Sequence, residues 1–276
     1  MKMKWMEKPK PELHVVSLSG GKDSTAMLLR MVEEGMRIDI ILFCDTGMEF
    51  PAMYKHLAKF EADLGCRITR ISAYHTFDHY LLQHEVRVKH TQNAHLKNHR
   101  GYSWPGPLNR WCTKELKELP RERFLRPLRE KYNIIEYVGL AADEGYRLER
   151  KNNQQENCRH PLVDWNMTEA DCLKYCYDRG YTWDGLYEYF SRVSCWCCPL
   201  QPLAELHVLY THFPDLWNTL KEWDKQSWRN FKSSGSVEDL EKRFRFEDEW
   251  TAAGKPTNTK EFYTELKKYM EAEENV

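Results

Sequence analysis

Apolar and polar positions alternate between two periods in the first two thirds of the chain and settle to a helical period in the last third. Leu13 to Leu18 is an apolar, β-branched run that stops at Ser19-Gly20-Gly21, which predicts a buried strand. From Ser24 to Glu34 the apolar residues Ala26, Leu28, Leu29, Met31 and Val32 fall at helical spacing, and Gly35 supplies a stop. Ile38 to Cys44 predicts a second buried strand, Pro51 opens a helix reaching Leu64, and Arg67 to Ile71 predicts a third strand. Strands alternating with helices at this spacing give parallel pairing with crossover helices, so an α/β, doubly wound, mainly parallel sheet is expected.

Between Glu85 and Arg110 the periodicity fails. This stretch and its edge carry His84, His90, His95 and His99, then Pro105-Gly106-Pro107, and read as a long surface excursion. A helical segment follows from Cys112, with interruptions expected near Pro120 and Pro127, and Ile134 to Leu140 predicts another strand. From Thr168 the pattern is mostly helical, opened by Thr168-Glu169-Ala170-Asp171 as a capping box with Asp in the last place. Two regions are expected: residues 1–200 as a nucleotide-binding α/β domain including the cysteines, and 201–276 as a helical C-terminal extension.

Charge changes this picture little. In 276 residues, 41 Lys and Arg stand against 42 Asp and Glu, so no global pull toward nucleic acid or membrane is expected. The longest apolar run, Ile40 to Cys44, is far short of the roughly 20 residues that span a bilayer. The N-terminus lacks the apolar stretch of a secretion signal, and a cytoplasmic protein without a membrane partner is expected. Nine cysteines, an odd number, point in a reducing compartment to metal binding or redox chemistry before a disulfide framework. Cys172 and Cys176, four apart on a helix, read as core, as do Cys44 and Cys66.

The most informative segment is Ser19-Gly20-Gly21-Lys22-Asp23-Ser24-Thr25, placed between a strand and a helix. The glycines allow a tight turn and close approach to phosphate oxygens. Loop amides and the helix N-terminus supply donors, the hydroxyls add more, and Lys22 adds a cation. Asp23 would hold Mg²⁺ or brace the loop. The Gly-Lys spacing is not that of a Walker A loop.

This segment matches the SGGKDS pyrophosphate loop of the N-type ATP pyrophosphatases. Within that superfamily, adenine nucleotide alpha hydrolase-like in fold, the chain resembles the phosphoadenosine phosphosulfate (PAPS) reductase family. Five further segments carry the resemblance over residues 13–200. They are Asp45-Thr46-Gly47 with Phe50-Pro51, and Trp111-Cys112-Thr113 with Leu116-Lys117. Gly139-Leu140-Ala141-Ala142-Asp143-Glu144 follows with Arg147 and Arg150, then Pro161-Leu162-Val163-Asp164-Trp165 and Cys195-Trp196-Cys197-Cys198-Pro199. The resemblance implies an adenine nucleotide, ATP or a sulfonucleotide (PAPS or APS), bound by residues 19–25, Asp45, Thr46, Gly47, Lys117, Gly139, Asp143, Arg147 and Arg150. Lys22, Asp23 and Asp45 would be catalytic, with Mg²⁺ held by Asp23 or Asp45.

It also implies metal binding by Cys112, Cys195 and Cys198, with Cys197 or Cys158 as a further ligand. A [4Fe-4S] cluster, Zn²⁺ or redox-active thiols each suit such a set. Two departures separate the chain from sulfonucleotide reductases: its phosphate loop is the full SGGKDS of relatives that cleave ATP, and its last cysteine is Cys198. The leading expectation is ATP cleavage at the α-phosphate with adenylation of an acceptor, a nucleobase or small metabolite, coupled to sulfur transfer. A sulfur donor or a thiol reductant protein would then be a partner. Sulfonucleotide reduction and a non-catalytic nucleotide-binding subunit are the alternatives.

Overall fold

In the computed structural model, residues 9–85, 99–149 and 154–273 are described. His90, His95 and Arg150 lie outside the described residues. The chain forms β1 (Glu12–Ser17), α1 (Lys22–Glu33), β2 (Ile40–Asp45), α2 (Pro51–Leu64), β3 (Ile68–Ser72) and α3 (Phe77–Leu82). There follow α4 (Trp111–Thr113), a π-helical stretch (Lys114–Glu118), α5 (Leu119–Arg129), β4 (Asn133–Val138), a 3-10 turn (Ala142–Arg147) and β5 (Cys158–Arg159). Then come α6 (Pro161–Asp164), α7 (Glu169–Tyr177), a second 3-10 turn (Trp183–Gly185) and α8 (Leu186–Tyr189). The last helices are α9 (Leu203–His212), α10 (Pro214–Gln226), α11 (Val237–Ala252) and α12 (Lys260–Glu273). No helix among the described residues is long and apolar enough to cross a membrane.

These elements fall into two units, the first comprising residues up to Tyr74 with Cys112–Cys195, the second His75–Trp111 with Trp196 onward. The first holds a five-stranded sheet in the order β3-β2-β1-β4-β5, with every pair parallel. Val15 and Val16, neighbours pointing to opposite faces of β1, are both fully buried, as a sheet covered on both sides requires. On one face Val15, Leu42 and Ile134 pack against Leu125 of α5, with Phe124 and Leu128 beside it. That packing explains why α5 runs through Pro127, contrary to the interruption expected there, whereas near Pro120 the α-helix is interrupted by the π-helical stretch. Pro120 follows directly on the π-helical stretch, and Pro127 lies inside the helix. The strand order reverses at β1: β2 and β3 lie to one side and β4 to the other. Such a switch point opens a crevice at the C-terminal ends of the strands, where ligands bind in open α/β sheets.

The second unit gathers α3, residues 99–111 and α9 to α12. The expected surface excursion is corrected here for its second half. Ser103, Trp104 and Trp111 are buried, and the Trp104 indole N–H donates to Asp224 Oδ1 at 2.8 Å. The other Asp224 oxygen accepts the Val237 N–H at 2.7 Å and so satisfies the start of α11. Gly101, at φ +72°, leaves no room for a side chain, since a Cβ there would meet Leu81 O at 2.0 Å.

Candidate functional site

The loop after β1 is built by its own hydroxyls. Gly20 adopts φ +79°, and its carbonyl accepts the Trp183 indole N–H at 2.7 Å. Ser24 Oγ accepts the Ser19 N–H at 3.1 Å, lies 2.9 Å from Ser19 Oγ and donates to Gly21 O at 3.1 Å. Thr25 Oγ1 is 3.1 Å from Nε2 of the buried His56. Burial pushes the His56 pKa down to about 4, with the Lys59 charge adding, so the ring is neutral at physiological pH. Gly139, leaving β4, lies against the start of α1; a Cβ there would stand 2.8 Å from Ser24 Cα. Ser19, Gly20, Gly21, Lys22, Asp23, Ser24, Thr25 and Gly139 thus share one location, at the switch point.

Lys22, the first residue of α1, is only 5 % exposed. Its ammonium is 2.5 Å from Glu169 Oε2 and 3.8 Å from Asp23 Oδ1, and its backbone N–H donates to the Tyr187 hydroxyl at 2.7 Å. Asp143 accepts the Glu169 N–H at 3.0 Å, which places it behind this pair. Arg147, expected at the ligand, donates to both oxygens of the buried Glu144, at 2.7 and 2.6 Å. Arg192 also binds Glu144 and lies 3.8 Å from Glu169. Glu144, Glu169, Tyr187 and Arg192 were not among the residues assigned to the site from sequence. Glu169 carries a visible local signal, but it is that of a helix cap: Thr168 and Asp171 do form the capping box.

Burial raises the Asp23 pKa to about 6; Lys22 opposes the shift, whereas Glu169 and Glu144 add to it. Its Oδ1 is buried without a hydrogen-bond partner. The folded state therefore binds this proton more tightly than the unfolded chain, whose value is near 3.8. The cost of ionising Asp23 is absent below pH 4 and grows as pH rises toward 6 and above. Relative to wild type, Asp23→Asn should gain stability of order 1–3 kcal/mol at pH 7.5, with little gain at pH 4. Urea unfolding of both proteins in chelator at the two pH values reads this; an equal gain at both would refute it.

A second group stands at the end of β2. Asp45 Oδ1 accepts the Gly47 N–H at 2.9 Å and the Tyr54 hydroxyl at 2.8 Å. Thr46 Oγ1 donates toward both oxygens of the buried Glu49, at 2.8 and 2.9 Å, and lies 3.7 Å from Cys195 Sγ. Lys117, in the π-helical stretch, belongs here too. Desolvation alone would lower its pKa, but the charges of Cys195, Glu49, Cys44 and Cys112 raise it. Cys44, expected in the core, is only half-buried, with its thiol 3.7 Å from Lys117 O, and Cys66 is half-buried as well. Cys172 and Cys176 are fully buried, as expected.

All nine cysteines lie outside disulfides. Cys112 and Cys195 belong to the first unit, Cys197 and Cys198 to the second. Among the described residues, no three His, Cys, Asp or Glu side chains are grouped to hold a metal ion.

Comparison with known proteins gives the family. An uncharacterized protein of Methanocaldococcus jannaschii is 26 % identical over 222 residues, covering 76 % of this chain and 42 % of that one. A second from the same organism is 25 % identical, covering 73 % and 45 %. The chain thus spans less than half the length of either. An uncharacterized 37.8 kDa protein of Escherichia phage 186 is 25 % identical, covering 77 % of this chain and 75 % of that one. Among solved structures, the PAPS reductase of Candida auris in complex with phosphate has a TM-score of 0.41 at 14 % identity, covering 66 % of this chain and 81 % of that one. The U34-tRNA thiolase of Methanococcus maripaludis with its [4Fe-4S] cluster has a TM-score of 0.37 at 15 % identity, covering 79 % and 73 %. The profile of the phosphoadenosine phosphosulfate reductase domain matches residues 13–201, and the chain belongs to that family.

Proposed function

We propose that the first unit binds Mg·ATP at residues 19–25 and promotes attack on the α-phosphorus, releasing pyrophosphate and adenylating an acceptor oxygen. The observation that supports this most is the buried Lys22 at the first position of α1, directly after the Gly20 turn. A cation and first-turn amides fixed there stabilise the charge that develops on a leaving pyrophosphate, and they need no reorganisation as it forms. Asp23 is the residue that would hold Mg²⁺, which neutralises phosphate oxygens, since its buried oxygen has no hydrogen-bond partner. A sulfur nucleophile on the acceptor side would then displace AMP. Cys195, whose Sγ lies 3.7 Å from Thr46 Oγ1 at the end of β2, is the thiol favoured for that half.

The family match also favours a second reading, reduction of a bound sulfonucleotide. Calorimetric titration of anaerobically purified protein with Mg·ATP and with PAPS separates the two. Tighter binding of Mg·ATP, with pyrophosphate release once an acceptor is supplied, is the expected result. Tighter binding of PAPS would replace adenylation with reduction, and binding of neither would leave a partner-dependent subunit.

A further inference from the structure

The cation and the first amide of α1, which an incoming phosphate would meet, are both engaged by the protein's own oxygens. Glu169 Oε2 holds the Lys22 ammonium at 2.5 Å, and the Tyr187 hydroxyl accepts the Lys22 N–H at 2.7 Å. First-turn N–H groups are the donors a helix offers to anions, so a carboxylate and a phenol oxygen stand in the positions of phosphate oxygens. We propose that Glu169 and Tyr187 form an autoinhibitory latch on the phosphate loop, released when the nucleotide displaces Glu169 toward Arg192. The inference rests on the nucleotide reading above.

Two features make this contact a latch rather than a brace. Glu169 already has a second cation within reach, because its Oε1 is 3.8 Å from Arg192. Arg192 is 54 % exposed on its side chain and is anchored by Glu144, so it offers the carboxylate a fixed second position. Moving from Lys22 to Arg192 strands no charge, whereas a carboxylate with one partner would resist release. Tyr187, in turn, is carried on a strained support. Trp183, Asp184 and Gly185 precede it in succession at φ +51°, +52° and +83°, a conformation that non-glycine residues keep only when their surroundings hold it. The holding contacts include Trp183 to Gly20 O at 2.7 Å, the stack of Trp183 on His56 at 4.4 Å, and Asp184 to Lys55 at 3.0 Å. One of these ends on the phosphate loop itself, so a shift of the loop loosens the segment that presents Tyr187.

The test is calorimetric titration of the full chain with Mg·ATP for wild type, Glu169→Gln, Tyr187→Phe, Arg192→Gln and the Glu169→Gln/Arg192→Gln pair. Glu169→Gln should bind roughly tenfold tighter, about 1.4 kcal/mol, and Tyr187→Phe should tighten binding by a smaller factor. Arg192→Gln should weaken binding about tenfold, and the double variant should match Glu169→Gln, because Arg192 acts on the nucleotide through Glu169 while Glu144 keeps Arg147 as its partner. A merely structural role for Glu169 predicts weaker binding in its variant, which would overturn the latch, as would an unchanged affinity. A double variant weaker than Glu169→Gln would make Arg192 a direct ligand and overturn its role as the second position. If neither wild type nor any variant binds, the nucleotide reading itself falls; binding by Glu169→Gln alone would support the latch in its strongest form.

Discussion

Replacing Lys22 with Ala should lower the affinity for Mg·ATP by about a hundredfold or more while the protein remains folded. Hydrogen bonds to charged groups contribute roughly 1.5–3 kcal/mol each, and a hundredfold change corresponds to about 2.7 kcal/mol. Lys22 is the one cation fixed on the phosphate loop itself, and no neighbour can extend into its place: Arg147 and Arg192 are both held by Glu144. The fold should tolerate the change. Glu169, released from Lys22, is 31 % exposed on its side chain and has Arg192 nearby, so its charge can be hydrated or paired. Asp23 loses the one nearby charge that most favours its ionised form, and its pKa should move up further. Binding measured by calorimetry and melting followed by circular dichroism separate the two effects. Nucleotide affinity within a few fold of wild type would dismiss the phosphate-loop assignment.

The parts of the site legible in the sequence are those written in one contiguous stretch. Residues 19–25 state their own geometry: a strand end, two glycines, a cation and helix-capping hydroxyls need no tertiary information to be placed together. Asp45 could likewise be put at a strand end because β2 is a simple apolar run. Glu169, Tyr187 and Arg192 could not. Tyr187 reaches Lys22 across 165 positions and Glu169 across 147; the packing of α7 beside α1 brings Glu169 there, and the Trp183–Gly20 hydrogen bond fixes the turn before Tyr187 on the loop. Locally, Glu169 resembles any first-turn acid of a capped helix, and that local role is also real.

Where the sequence misled, a tertiary term outweighed a local one. A proline inside a helix costs about 3 kcal/mol, but Leu125, Phe124 and Leu128 bury against the sheet only if α5 continues through Pro127. Residues 99–111 have no period because Trp104 and Trp111 are isolated aromatics among polar neighbours. Each is anchored by an indole hydrogen bond, to Asp224 and to Ser103 O at 2.8 Å in both cases, and by ring contacts with Phe77. In the site, the pairing of Arg192 with Glu144, which Arg147 also binds, joins residues far apart in the chain, and no periodicity marks it.

Gly139→Ala should have a large effect on stability and on the phosphate loop together. A Cβ at Gly139 would stand 2.8 Å from Ser24 Cα, 2.9 Å from Ser24 N and 3.1 Å from Asp23 C, all backbone atoms of the first turn of α1. A flexible side chain could swing aside, but a helix start cannot move without breaking the Ser19–Ser24 and Thr25–Gly21 hydrogen bonds that shape the loop. Overpacking of this kind costs about 1–3 kcal/mol even where side chains yield, so a loss at the upper end or beyond is expected. The affinity for Mg·ATP should fall with it, because the donors of the loop are displaced together. Gly145→Ala is the matched control: it lies in the neighbouring 3-10 turn, where a Cβ meets nothing within 4 Å. Urea unfolding of the two variants should show a destabilisation of at least about 3 kcal/mol for Gly139→Ala and less than about 1 kcal/mol for Gly145→Ala. Equal, small effects would mean that β4 and α1 are not in the close contact from which the switch-point site is built.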